Sequence, residues 1–480
     1  MKKYIIFLLD RKNFIYFNIL FLIALYFNLN NKTLIAASVI YLVLTSIIFK
    51  SISKGLIFSF LLFSLFLVGK TYSTILIPKS SLSPAIGRIY LGFSGHTADI
   101  VVTPSHIIGI ILFLWFIAIF IKEGYKRINI QFILLTTYIV FSLISALFSL
   151  NYLLSVFYWL STFLLLPFYF FLQKSLLEDK KFKDELFTFF SILIIYESIW
   201  AIFQYLLRGP VLSSLEVFNN FLFTGPDFDQ SWFRPYSSLA HTDDLANFLL
   251  PLTILFFLSG YLKNFAKMKL VIFAFMLGFF GIILTLSRSA WIALFFICLI
   301  YSLIFEKKYK IIFNKYYKKI LIYSCTALLP LLILFVIPRV QKTFSTLYEE
   351  GSGQARILIT SEAMNLIVKY PFFGVGQRMS VLGMFLEDPK GLMYYWPVAP
   401  HNIYLHFMAE TGVISFLLFF TFLYLSIKLR TKKPKSENDI IQKKIIVACI
   451  ASLIINGIFQ PMYSTTMIYL VTLSAIHETI

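Results

Sequence analysis

Residues 268–303 read MKLVIFAFMLGFFGIILTLSRSAWIALFFICLIYSL. Two apolar runs flank Thr285-Leu286-Ser287-Arg288-Ser289-Ala290-Trp291. Each is close to the about 17–25 residues that cross a bilayer as a helix. An arginine at the centre of a membrane helix costs about 2.5–3.5 kcal/mol on insertion scales, so one found there has a partner or a task. At the tip of a hairpin the cost is lower, with Ser287 and Ser289 as turn formers. A functional Arg288 and a simple turn both fit these residues.

The same pattern fills the chain. Of 480 residues, 59% are hydrophobic and only 14% charged, against about 25% charged in a soluble domain. Apolar spans centre on 12–28, 33–49, 54–77, 101–121, 130–150, 152–173, 187–207, 239–261, 269–287, 289–305, 320–338, 402–427, 443–458 and 460–477. The fold class expected is an all-α polytopic membrane protein of about 12–14 transmembrane helices with one large extracytoplasmic loop. No soluble segment is large enough to carry its own core. The net charge of +19 is spread in short basic clusters between spans, as topology signals are, and this argues against a nucleic-acid partner. Cys298, Cys325 and Cys449 stand singly in apolar spans, so neither a disulfide framework nor a thiolate metal site is expected. Met1-Lys2-Lys3 and the apolar run after it read as an uncleaved first segment.

The bias of basic residues places both termini in the cytoplasm and the long loop 339–401 outside. Lysines fall mostly on the inner side. Arg11, Arg127 and Arg430 join them there, whereas Arg88, Arg208, Arg234, Arg288, Arg339, Arg356 and Arg378 fall outside. Topology alone does not choose arginine over lysine. Its planar fork suits phosphate or carboxylate and stays charged when partly buried. Either the outer face holds an anion, or these arginines pair with acids such as Glu349, Glu350 and Asp388.

Within the long loop, Ser352 and Gly353 start a helix expected over about 354–370, stopped by Pro371. Ile357, Met364, Ile367 and Val368 share one face, with Leu358 and Leu366 at its margin, so the helix should lie against the membrane or the bundle. Arg356 falls in its first turn, where a cation opposes the helix dipole and needs another reason to be present. Gly374 and Gly376 follow as a turn able to approach a ligand or a neighbouring helix. His401-Asn402 then opens the span at 402–427. His401 is suited to act as a general base or to orient a hydroxyl. A second outer loop, 208–238, carries Arg234 and leads into His241-Thr242-Asp243-Asp244, where Thr242 or Asp243 suits a helix cap.

Together these residues resemble the O-antigen ligase and O-antigen polymerase superfamily of bacterial envelope glycosyltransferases. The resemblance rests on Ser287 to Trp291, Arg356 opening the loop helix, Tyr370-Pro371 through Gly376, His401-Asn402-Ile403-Tyr404-Leu405 and Glu410-Thr411-Gly412. It covers about 230–425 of the chain, in family order. In two places the chain departs from the pattern: Ser289 stands where members often have Gly, and His241-Thr-Asp-Asp where they often have an Asn-containing turn. The resemblance implies residues 1–230 as N-terminal helices, 231–427 as the catalytic region and 428–480 as a C-terminal hairpin. It implies transfer of glycan from an undecaprenyl-diphosphate donor at the outer face of the cytoplasmic membrane, without cofactor or metal, to a glycan, lipid A core or protein acceptor. Arg288 and Arg356 would hold the diphosphate and His401 would activate or position the attacking hydroxyl. Arg234, Asn402, His241 and Tyr404 would bind substrate. Tyr394, Tyr395, Trp396 and Tyr404 would stack on sugar rings or form an interfacial belt. The competing class is a polytopic polysaccharide or lipid-linked glycan transporter or flippase, in which internal repeats are common; none is visible between the halves of this chain.

Overall fold

A computed structural model describes residues 10–27, 31–66, 70–73, 99–123, 129–209, 211, 233–239, 241–262, 268–308, 352–389, 391, 393, 399–428, 436–460 and 464–479. Its N-terminal helices are α1 (Phe14–Phe27), α2 (Asn31–Phe49) and α3 (Ile52–Phe63). After them come α4 (Pro104–Glu123), α5 (Ile130–Leu147), α6 (Tyr152–Phe163), α7 (Leu165–Glu178) and α8 (Phe182–Leu207). The second half holds α9 (Thr242–Leu258), α10 (Met268–Leu284), α11 (Arg288–Leu303), α12 (Ser352–Lys369), α13 (Ser380–Glu387), α14 (Ile403–Lys428), α15 (Glu437–Asn456) and α16 (Ser464–Thr479).

Eight helical stretches among the described residues are long and apolar enough to cross a membrane, and shorter apolar helices accompany them. The protein is thus an all-α, multi-pass membrane protein. The expected span at 320–338, with Cys325, lies outside the described residues, as do Arg88, Arg339, Glu349, Glu350, Tyr394, Tyr395 and Trp396. The span expected at 54–77 is corrected: α3 ends at Phe63, and Lys70–Ser73 forms a short strand, β1. It pairs antiparallel with β2 (Asp99–Val102), Lys70 opposite Val102. A lysine inside a membrane helix carries an uncompensated charge, whereas a ribbon satisfies its backbone hydrogen bonds without one.

Helix starts follow local chemistry. Asn129 accepts from the Phe132 amide at 2.8 Å and Asn151 from the Leu154 amide at 3.2 Å, each supplying a cap. Ser436 and Asp439 form a reciprocal capping box at α15. The bundle packs α8 on α10, α14 on α5, and α9 against both α10 and α15. One apolar core runs through these helices. The loop region has a small core of its own, in which Ile359, Ala363, Leu366, Val375, Met384 and Phe385 pack with Leu154 of α6 and Ala409 of α14. No separate core was expected there; apolar residues scattered over α12, α13 and the turn between them are enough to build it.

The loop helix forms where its residues place it, and it carries apolar residues on two sides, with Ile367 of the expected face packed on the loop core. Ile359, Ala363 and Leu366 are buried, whereas Ile357, Leu358, Met364 and Val368 are exposed. Most of the expected apolar stripe therefore faces away from the bundle, the orientation that leaves it to the membrane.

The segment after Pro371 is docked onto a break in α14. Gly412 has φ 81° and ψ 167°, which interrupts the helix there. The carbonyls this frees are taken by the loop: the Val375 amide donates to Ala409 O at 2.9 Å and the Gly376 amide to Glu410 O at 2.8 Å. The Val413 amide donates in return to Pro371 O at 2.8 Å. Glu410 itself accepts from Ser380 at 2.9 Å and lies 3.0 Å from His406 Nε2. Of the two partners open to the Gly374–Gly376 turn, the structure selects the neighbouring helix.

Candidate anion-binding site

The site begins with two polar residues inside α8. Glu197 and Gln204 are wholly buried, and such residues in an apolar helix need partners. Glu197 accepts from the Ser238 amide at 3.2 Å and its hydroxyl at 2.7 Å. Gln204 accepts from the amides of Tyr236 at 3.0 Å and Ser237 at 2.7 Å, and donates to Ser237 O at 3.0 Å. These bonds hold the segment 233–239, with Ser237 at φ 57°, and so fix Arg234. Glu197→Ala should loosen this loop through the lost buried bonds, costing about 1–3 kcal/mol; the melting temperature of the purified protein measures it.

Arg234 donates from Nε to Thr285 O at 2.9 Å and from Nη2 to Asp243 Oδ1 at 3.1 Å. It thereby joins the start of α9 to the hairpin before α11. The cap of α9 is His241, whose Nδ1 accepts from the Asp243 amide at 3.1 Å. Thr242 and Asp243, the residues expected to cap, are engaged elsewhere: the Thr242 hydroxyl donates to Arg234 O at 3.3 Å and the Asp243 carboxylate takes the guanidinium. Burial holds the His241 imidazole below its ordinary pKa, with Arg234 adding to the effect and Asp243 opposing it.

Arg288 opens α11, two residues after Leu286 at φ 53°. Left-handed backbone at a leucine carries strain and is found where surrounding structure fixes it. Arg288 lies within electrostatic reach of Arg356 and Arg234. Asp243 in turn lies in the fields of Arg234, His241, His401 and Arg356. Residues far apart in sequence, at or beside the N-terminal ends of α9, α11, α12 and α14, therefore share one site. Helix N-termini carry positive dipole ends, and three guanidiniums outnumber Asp243 even with its neighbour Asp244 counted. The arrangement favours an anion.

His401 brings an imidazole able to accept a proton. Its Nδ1 lies 3.1 Å from Ala399 O. A carbonyl only accepts, so Nδ1 carries the proton and Nε2 keeps its lone pair. Burial, reinforced by Arg356 and opposed by Asp243, lowers the pKa to about 4.

Two residues expected to touch substrate are occupied in packing. Asn402 caps α14, accepting from the Tyr404 amide at 3.0 Å and the Leu405 amide at 3.1 Å, and donates to Ile458 O at 3.2 Å. Tyr404 donates to Ile454 O at 2.8 Å and packs on Phe416 and Phe420. Arg378, one of the outer arginines, lies 4.9 Å over the Tyr158 ring. Reading the sequence missed Glu197 and Gln204, although a Glu and a Gln seven residues apart in an apolar span were the available signal. It also missed the charge partnership of Asp243, which involves contacts across three elements.

Residues 249–420 match the family described as O-antigen ligase. The chain is 27% identical over 308 residues to a ComP-specific O-oligosaccharyltransferase of Acinetobacter baylyi, a match covering 57% of this chain and 54% of the relative. It thus spans about half the length of that curated relative. The match to the family takes in Arg288, Arg356 and His401, so this segment of the chain is similar to the O-antigen ligase family.

Proposed function

We propose that this protein is a membrane glycosyltransferase that transfers or polymerises glycan from an undecaprenyl-diphosphate-linked oligosaccharide at the outer face of the cytoplasmic membrane. The observation that carries this reading is the meeting of Arg234, Arg288 and Arg356 with a neutral His401 at helix N-termini. In the reaction, an acceptor hydroxyl attacks the anomeric carbon and the bond from that carbon to the diphosphate oxygen breaks. The electron pair leaves with the lipid diphosphate, and the hydroxyl proton passes to His401 Nε2. Charge grows on the leaving group, where Arg288 and Arg356 meet it with donors that need no rearrangement. Arg234, tied to Asp243 and Thr285 O, shapes the rim of the site. The acceptor is a glycan, lipid A core or protein; the O-oligosaccharyltransferase relative supports transfer of an oligosaccharide to an acceptor oxygen.

The test is reconstitution in liposomes with the lipid-linked oligosaccharide, first alone and then with candidate acceptors, followed by gel analysis of the glycan. Arg356→Ala is expected to lower product formation by about 10²–10³-fold. Arg356→Lys should recover part of this, because it keeps the charge without the fork. Product at the wild-type rate in Arg356→Ala would overturn the assignment of that residue.

A further inference from the structure

The N-terminal end of α11 is built in an unusual way. Ser287 occupies the cap position, where a serine commonly bonds an amide of the first turn, yet its hydroxyl makes no capping bond. Instead Ser287 Oγ receives a hydrogen bond from Gln460 Nε2 at 3.3 Å, and the same nitrogen donates to Ser289 Oγ at 3.2 Å. Gln460 is only 4% exposed, and its Oε1 is buried without a hydrogen-bond partner among the described residues. Leaving a buried amide oxygen unpaired costs stability that an apolar side chain of similar shape would not. The position is also tightly held. The turn before it, Gly457–Phe459, accepts from Asn402 through Ile458 O at 3.2 Å. A Cβ on Gly457 would sit 2.5 Å from Ile403 Cγ2. Gln460 therefore stands between the start of α11, with Arg288, and the start of α14, beside His401.

We propose that Gln460 is a positioning residue that holds Ser287 and Ser289 as hydroxyl donors, so that the open end of α11 receives a phosphate of the donor's diphosphate; this rests on the transferase reading. The chemistry is direct. The two amide protons of Gln460 occupy acceptor positions on both serine oxygens, which leaves the serines their own protons to give. Ser287 Oγ and Ser289 Oγ are 3.4 Å apart, so one hydroxyl can donate to the other and at least one proton still points to a ligand. The N-terminal end of α11, which the Ser287 hydroxyl does not cap, and the Arg288 guanidinium complete an anion cradle. Sequence alone gives no sign of this, because Gln460 follows an apolar span far from the serines it orients.

The experiment compares wild type with Gln460→Met, which keeps the size and removes the amide. Two readouts are needed: inorganic pyrophosphate binding by calorimetry on the detergent-purified protein, and kinetics with the lipid-linked donor. Gln460→Met is expected to weaken pyrophosphate binding and lower kcat/KM for the donor by about 10-fold. The acceptor KM should hold, and the melting temperature should stay level or rise because the unpaired oxygen is gone. A residue serving the fold alone would instead lower the melting temperature and leave pyrophosphate affinity unchanged, which would overturn the proposal. Should Gln460→Met fail to accumulate, Gln460→Glu preserves shape and polarity but presents a carboxylate, and it must weaken pyrophosphate at least as much. If wild type consumes donor and the variants match it, the Gln460 proposal alone falls. If wild type neither consumes donor nor binds pyrophosphate, the transferase reading falls with it.

Discussion

His401→Ala is expected to lower glycan transfer by about 10²–10⁴-fold, the range associated with loss of a positioned general base. The imidazole lies where a base is useful: its Nδ1 is committed to Ala399 O, and Nε2 is left to accept. The variant should still insert, because the core of the bundle lies elsewhere. The pH dependence gives a second readout of the same group. Burial, then Arg356, then His241 push the pKa down, Asp243 pushes it up, and the result is about 4. A lowered pKa means that the neutral base survives to more acid pH. The rising limb of kcat/KM, which reports the free enzyme, should therefore lie near pH 4 and not near the ordinary histidine value of about 6.5. Rates measured from pH 4 to 8 check this, and a limb near 6.5 would show that His401 is neither buried nor neutral in the way described.

Gly412→Ala should be the most damaging small substitution for the architecture of the site. At φ 81° and ψ 167° the residue occupies backbone space essentially reserved for glycine. Strain there amounts to about 1–3 kcal/mol. A Cβ would also meet Phe372 O at 2.1 Å and Phe372 C at 2.3 Å, both backbone atoms. Yielding to it separates α14 from the loop and endangers the bonds from Val375 to Ala409, Gly376 to Glu410 and Val413 to Pro371, each worth about 0.5–1.5 kcal/mol net. The bundle would persist, because its core lies elsewhere. The expected outcome is an inserted protein whose loop region 352–399 is cut readily by added protease and whose transfer activity is lost. Gly209→Ala is the control, since the nearest neighbour of a Cβ there is Leu207 O at 3.8 Å. Equal protease resistance in Gly412→Ala and wild type would contradict the docking role of the kink.

The long apolar runs made the membrane helices legible, because bilayer thickness imposes a length that sequence displays directly. Arg288, Arg356 and His401 were legible for a related reason: each is a polar residue set at the edge of an apolar or helical stretch where it has a cost. What could not be read is what depends on contacts between distant segments. Asp243 looked like a cap until Arg234 took its carboxylate. The Gly374–Gly376 turn gave no sign of its partner, since that partner is a break in a helix that otherwise continues on both sides. The bonds of Asn402 and Tyr404 to Ile458 O and Ile454 O, which tie the start of α14 to α15 and its following turn, could not be read either. Which face of α12 meets the protein was open for the same reason: both sides of that helix carry apolar residues, and only tertiary packing chooses between them.

The most direct measurement is of the lipid product. Proteoliposomes holding wild type or His401→Ala would be supplied with undecaprenyl-diphosphate oligosaccharide and an acceptor in the presence of a divalent-metal chelator, and free undecaprenyl diphosphate would be quantified by mass spectrometry. Release in step with glycan transfer by wild type, unaffected by the chelator and lost in His401→Ala, is the expected result. Intact donor that moves across the bilayer without cleavage would contradict a transferase and identify a transporter instead.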